Sequence, residues 1–389
     1  MKNIMALMLV GGQVKEMGVL LRHRSKAALP FGGMYRVVDF TLTNLSRSNI
    51  PSVGLLSQYR PSSLVDHVGV GRPWDYNQRS RELMFLPPNQ GRTTSDWYKG
   101  TADAIFQNLA ALDQVSPQHV LVLSGDHVYN MDYRPLIEYH ISRHADLTMV
   151  FKPMDVGRPS RFGIGRLSAD NRVTDYWEKP ADPQSNLASL TIYVFRYNTL
   201  VRRILENARL GRTFQLYDEV IPRMIKQGDK VFGYIFDGAW KYLRTLQEYH
   251  SEHILLAQGR SCLAINEAGV ITNLDVQGVG DAAPAYVLKD CTQTLLSPGV
   301  MCMGRVYSSV LSPWVVVREG AKVENSVLMA GTIVEKGAIV RNAVLDKDVK
   351  IGQNAVVDGG TGLAVLGRQC VVLDGHKLGP GQVEPGVVI

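Results

Sequence analysis

Cysteine is scarce in this sequence, and the little there is has no pattern. Cys262, Cys291, Cys302 and Cys370 are the four in 389 residues, and they show no CxxC spacing. That argues against a disulfide framework and against a zinc site. Long apolar runs are missing too: none reaches the roughly 20 residues that a membrane-spanning helix requires. The short apolar start from Ile4 to Val10 runs directly into Gly11-Gly12 and reads as a first strand rather than a signal peptide. No basic block interleaved with aromatics is present, which leaves nucleic acid a weak second to a phosphorylated small molecule as partner. Neither GxGxxG nor GxxxxGK[ST] follows the first glycines, so the dinucleotide fingerprint and the P-loop are both absent. A soluble chain in a reducing cytoplasm, with neither membrane nor nucleic acid as partner, is the expectation that remains.

What is present describes an ordinary globular protein of more than one domain. Hydrophobic residues make up 45% and charged residues 20%, and the length exceeds what one hydrophobic core normally serves. Lys and Arg number 42 against 36 Asp and Glu, a net charge of +6 that suits a phosphorylated small molecule. The organising stretch is Val120 to Tyr133. Its apolar run Val120 to Leu123 predicts a buried parallel strand, and Asp126 follows just beyond Ser124-Gly125. In an open α/β sheet, ligands bind outside the carboxyl ends of such strands. An Asp there can hold a divalent metal against phosphate oxygens, although a turn or helix cap is the commoner role. Met5 to Val10, Val53 to Leu56, Leu147 to Phe151 and Ile192 to Phe195 predict further strands. Helices are expected near Leu42 and Leu136 to His144, so strands alternate with helices as in a mostly parallel sheet covered on both faces. Thr101 is placed to cap a helix carrying Ile105, Leu109 and Leu112, with the helix N-terminus a candidate anion site near Tyr98. Arg22, Arg24 and Lys26 are candidate phosphate partners in a loop rich in glycine and proline.

The boundaries implied are 1–241 for the α/β domain, 242–259 for a connecting helix and 260–389 for a second domain. Within the second domain a shift of 17 residues superposes Val317, Val334 and Ile351, and likewise Ala321, Ala338 and Ala355, Val323, Val340 and Val357, and Leu328 with Leu345. Steps of six link Val327, Ile333, Ile339, Leu345, Ile351 and Val357. Such periods predict a parallel β-helix whose coils stack like on like. His250 and His253 fall on the connecting helix and lack a carboxylate partner for metal binding, which makes them packing residues.

Several stretches, LPFGGMYRVVDF (29–40), WYKGTADAIFQN (97–108), LSGDHVYNMDY (123–133), FGIG (162–165), WEKP (177–180) and ASLTIYVF (188–195), together resemble the ADP-glucose pyrophosphorylase (glucose-1-phosphate adenylyltransferase) family. The resemblance implies a Rossmann-like nucleotidyltransferase domain followed by a left-handed parallel β-helix. It also implies the reaction of ATP with glucose 1-phosphate to give ADP-glucose and pyrophosphate, for glycogen or starch, with Mg²⁺ between two aspartates. Matched onto this chain, the sugar-phosphate contacts are Tyr98, Gly163, Glu178, Lys179 and Ser189, with Lys179 the phosphate partner and Glu178 a hydroxyl acceptor; Lys26 falls on the lysine of the family's KPAVPFGG motif, whose proline is Ala27 here, and the first metal aspartate is Asp126.

The nucleotide side departs from the family pattern. Its GGxGxRL loop reads Gly11-Gly12-Gln13-Val14-Lys15-Glu16-Met17, so Val14 replaces a glycine and Glu16 the catalytic arginine. The second metal aspartate is Tyr242, and a further acidic position is Gln215. Removing one preorganised charge-stabilising group typically costs about 10² to 10³ in rate. The expectation is therefore a catalytically impaired regulatory or structural subunit, in a homo- or hetero-tetramer with a catalytic paralogue. Such a subunit would bind glucose 1-phosphate or another sugar phosphate and possibly ATP or ADP-glucose, with Mg²⁺ needed only if the chain is active. An active enzyme with an altered loop, using Lys15, Lys241 or Arg244 in place of the arginine, and a stand-alone hexose-phosphate sensor are the alternatives. The family's effectors bind cations between the domains; a commonly used lysine there is His23 in this chain.

Overall fold

The structure is a computed structural model that describes residues 3–12, 14–88, 97–265, 269–275 and 278–389, so Gln13 of the first glycine loop lies outside the described residues. The first half is organised by a nine-stranded sheet. Its strands are β1 (Ile4–Leu9), β2 (Ser52–Leu56), β3 (Glu82–Leu86), β4 (His119–Ser124), β5 (Leu147–Pro153), β6 (Gly163–Leu167), β7 (Val173–Glu178), β8 (Leu187–Arg196) and β9 (Val231–Ile235). The order β7-β6-β8-β4-β1-β2-β3 has β5 also pairing with β8, and β9 with β5. From β4 to β3 the pairings are parallel, as is that of β9 with β5, whereas β8 runs antiparallel to β4, β5 and β6. Val120, Leu121, Val122 and Leu123 are fully buried, as expected of a central strand covered on both faces. β3 is a strand whose sequence carries no clear alternation, and it occupies the edge.

The ligand-binding end is set by where these strands stop. β1 and β4 end side by side, with Leu9 paired to Ser124, which delivers Gly11-Gly12 and Asp126 to one crevice. A register shift in β8 between Ser189 and Tyr193 bends that strand at the same end. Thr191 sits inside the bulge at φ 54°, a conformation a β-branched residue rarely adopts.

The second half is a parallel β-helix of three six-stranded sheets. Val317 pairs with Val334 and Val334 with Ile351, Val323 with Val340 and Val340 with Val357, and Leu328 with Leu345. The repeat read from the sequence is thus the stacking register itself, and these side chains are all buried. At the corners, Asn325 and Asn342 adopt φ 50° and 45°, and the Asn325 amide donates to the Asn342 side-chain oxygen one coil on, at 2.9 Å. The coils differ in length: Lys350 pairs with Val371, and the extra residues loop out around Asp358–Gly362 without disturbing the pairing of Ala343 with Ala364.

The helix Leu246–Ala257 joins the two halves, shorter than the expected 242–259 because Tyr242 to Arg244 are irregular chain that leads into its cap at Thr245. Thr245 and Glu248 form a reciprocal cap that fixes its start. His250 meets the Asn325 carbonyl at 2.6 Å, and Gln258 donates to Ser308 Oγ at 2.8 Å, so the helix is pinned along the β-helix. His253 Nε2 accepts the Gly32 N–H at 3.1 Å while Nδ1 lies 2.7 Å from the Tyr249 carbonyl, and burial draws its pKa down to about 4. Both histidines therefore serve packing. Arg22 and Arg24, candidate phosphate partners by sequence, pair with the second half: Arg22 Nε donates to Glu384 at 2.9 Å, and Arg24 makes a buried two-pronged pair with Asp346 at 2.8 and 2.9 Å. Among the described residues no helix is long and apolar enough to cross a membrane.

Candidate functional site

A cavity of about 330 Å³ opens at the carboxyl ends of β1 and β4. Of the residues singled out from sequence, it gathers Gly12, Val14, Lys26, Thr101, Asp126, Gly163, Glu178, Lys179, Ser189, Tyr242 and Arg244. Residues from the first and the last part of the domain thus meet because the sheet order interleaves early and late segments.

One wall is the antiparallel part of the sheet. Tyr176 Oη donates to Glu178 Oε2 at 2.9 Å, and Lys179 Nζ lies 3.2 Å from Glu178 Oε1. Ser189 Oγ sits 3.4 Å from Tyr193 Oη inside the bulge. A Cβ on Gly163 would fall 1.9 Å from Tyr176 Oη and 2.8 Å from Glu178 Oε2, so a larger residue would have to push the ends of both side chains aside. Burial pushes the Tyr193 and Tyr217 phenols up to about 12 and Tyr176 well above its ordinary value. These hydroxyls stay neutral, and the wall offers donors and acceptors beside one carboxylate and one ammonium, the mixture that suits a polyol carrying a phosphate.

The floor is Asp126. Oδ2 accepts from Lys26 Nζ at 3.1 Å, while Oδ1 accepts from Ser124 Oγ and lies 3.5 Å from His127 Nε2. Burial alone would raise this carboxyl, but Lys26, His127 and the Ser124 hydroxyl outweigh it and hold the group well below the usual range. Burial draws Lys26 down, with Asp126 opposing, and lowers His127 to about 4. The second face of the Lys26 ammonium meets the Tyr242 ring, 4.1 Å from its centroid. Tyr242 itself stacks on Trp240 and takes the edge of His127; burial first, and then the Asp126 charge, push its phenol up and keep it neutral.

The other wall is the first loop and the start of the connecting helix. Glu16 belongs to a 3₁₀ turn, Lys15–Leu21, and turns away to pair with Arg244, Nη2 to Oε1 being 2.8 Å. Its own backbone N–H and the Arg244 guanidinium hold Glu16 below the ordinary carboxylate value. Arg244 N–H donates to Glu248 at 2.8 Å, and Arg161 pairs with the same Glu248 while lying over the Phe162 ring. Among the described residues, both carboxylates that line the cavity, Asp126 and Glu178, are thus matched with a cation. As a holder of Mg²⁺, which favours a shell of oxygens with free carboxylate charge, this donor set does not fit: both oxygens of Asp126 are engaged, and a neutral aromatic faces them.

Three expectations are placed elsewhere. Tyr98 lies outside the cavity: its hydroxyl donates to the Leu86 carbonyl at 2.7 Å and accepts from Asn108 Nδ2 at 2.8 Å. The helix after it breaks at Asn108 into Thr101–Gln107 and Leu109–Val115, and Thr101 is its first residue, not its cap. Its N-terminus is not an anion site, because the Thr101 N–H donates to Gln215 Oε1 at 3.0 Å and the Ala102 N–H to the Phe214 carbonyl at 2.8 Å. Gly11 is packed behind the site, where a Cβ would lie 2.8 Å from Gln58 N, and Gly12 alone faces the cavity. Arg161, His127, Thr191 and Tyr217 line the cavity without having been singled out, although Arg161 and His127 adjoin the FGIG and Asp126 motifs.

The nucleotidyl transferase family profile matches residues 5–259, and a GlmU-like C-terminal hexapeptide profile matches residues 287–361. The chain is 37% identical over 320 residues to the glucose-1-phosphate adenylyltransferase of Clostridium acetobutylicum, covering 81% of this chain and 83% of that one. It is 39% identical over 330 residues to that of Thermotoga maritima, covering 83% and 77%. To that of Fervidobacterium nodosum it is 35% identical over 386 residues, covering 98% and 86%. With the mixed sheet, the crevice at its strand ends and the stacked coils behind it, these likenesses establish that the chain belongs to the glucose-1-phosphate adenylyltransferase family.

Proposed function

We propose that the chain is a subunit of a glucose-1-phosphate adenylyltransferase assembly that retains the sugar-phosphate pocket and is catalytically impaired by itself. Its role is then regulatory or structural, in a cytoplasmic homo- or hetero-tetramer with a catalytic paralogue. The observation that carries this reading is the pairing of Lys26 with Asp126 under the ring of Tyr242, where the family reaction requires a second carboxylate. A Glu16 committed to Arg244 supports it, since the loop then presents no free guanidinium to a triphosphate. The intact polar wall at Gly163, Glu178 and Ser189 supports the retained half of the function.

Arg161 and Arg244, two guanidinium groups on the cavity lining, favour the second reading, an active enzyme with a rearranged loop. Assay of pyrophosphate release from ATP and glucose 1-phosphate separates the two, with the purified chain alone and mixed with a catalytic paralogue. Negligible release alone, and a changed rate or effector response in the mixture, is the expected result; ordinary turnover by the lone chain would establish the second reading.

A further inference from the structure

We propose that the Lys26 ammonium is the resident cation of this cavity, and that it lets a hexose phosphate monoester bind without any divalent metal. This rests on the retained sugar-phosphate pocket and adds how that pocket is neutralised. Lys26 is 2% exposed, an unusual place for an ammonium unless something fixes its charge. Asp126 Oδ2 at 3.1 Å and the Tyr242 ring face at 4.1 Å do so from two directions. The carboxylate takes one of the three N–H donors, which leaves others to meet a phosphate oxygen.

The same geometry works against a metal. An ion coordinated by Asp126 at the roughly 2.0–2.1 Å typical of Mg²⁺ would stand against the Lys26 charge and would have to displace it. Ser124 and His127 already occupy the neighbourhood of the other oxygen, and a phenol held neutral by burial supplies no anionic ligand. A monoester needs no more than the cations on hand, Lys26 at the floor and the partly exposed Lys179 and Arg161 at the mouth. A triphosphate brings more charge than these supply, even with Arg244 counted, since each of these cations already shares its charge with a carboxylate.

The test is a calorimetric titration of the full chain with glucose 1-phosphate, once in EDTA and once in Mg²⁺, beside a Mn²⁺ titration followed by electron paramagnetic resonance. Affinity is expected to agree within about twofold between the two media, with no Mn²⁺ uptake, and Lys26→Met should weaken binding about tenfold or more in both. Lys26→Arg, which keeps the charge, should retain binding, which separates loss of the charge from any loss of folding in Lys26→Met. Tyr242→Asp should begin to take up Mn²⁺. Binding seen only with Mg²⁺, or Mn²⁺ uptake by the unaltered chain that Asp126→Asn abolishes, would overturn the proposal and leave the regulatory-subunit reading standing. No binding in either medium would overturn both.

Discussion

The two walls of the cavity are held in different ways. On the sugar side, Gly163, Tyr176, Glu178 and Ser189 lie on β6, β7 and β8, paired strands in which one bulge and one glycine create the space. On the nucleotide side, Val14, Glu16, Tyr242 and Arg244 come from a short turn and the irregular lead-in to a helix, with Glu16 and Arg244 held by a partly exposed ion pair and Tyr242 by its stack on Trp240. A wall built into a sheet resists substitution, because each side chain is also a packing element. A wall built from loops can lose its chemistry while the fold stays intact. On the proposed function, this difference is what would let a chain keep the sugar side of the family's site while the nucleotide side changed.

Restoring the altered half is the strongest way to break that contrast. Glu16→Arg with Tyr242→Asp should raise pyrophosphate release by about 10³-fold or more, given roughly 10² to 10³ for each charge-stabilising group. An unchanged rate would show that the nucleotide wall has lost more than two side chains. On the sugar side, Gly163→Ala should reduce glucose 1-phosphate affinity by about 10²-fold and cost about 1–3 kcal/mol of stability, because its Cβ would overlap Tyr176 and Glu178. Calorimetry and thermal melting would measure both.

Acid should loosen the nucleotide side first. His253 anchors the connecting helix to Gly32 as a neutral ring, its pKa lowered from 6.5 to about 4 by burial. The unfolded chain therefore binds the proton more readily than the folded one. The stability this group contributes is complete above pH 6.5 and is lost as pH falls towards about 4, a change on the order of 3 kcal/mol. Denaturant midpoints against pH should show this slope, and His253→Gln should flatten it. The smallest effect belongs to Glu16→Gln, which removes a half-exposed ion pair and should change stability by less than about 1 kcal/mol.

Much of this molecule could be read from local pattern. The β-helix repeats were legible because stacking places the same residue type at the same position in successive coils, as with Val323, Val340 and Val357. The strand ending at Ser124 and the Asp beyond it were legible for a similar reason, since a buried strand is a continuous apolar run. The helix N-terminus at Thr101 was misread because its N–H groups are satisfied by Phe214 and Gln215, over a hundred residues away in sequence. Arg22 and Arg24 read as candidate phosphate partners because their actual partners, Glu384 and Asp346, lie on the far half of the chain. Local patterns set elements and their periods; which charges find each other is decided by how distant segments are brought together.

The coil that loops out at Asp358–Gly362 has an evolutionary consequence. Because its neighbours keep their pairing across the longer excursion, the rise of the prism is uncoupled from the number of residues spent on each circuit. Corners of this kind are where a lineage can add or trim sequence, and so acquire new contacts, without retuning anything stacked above or below.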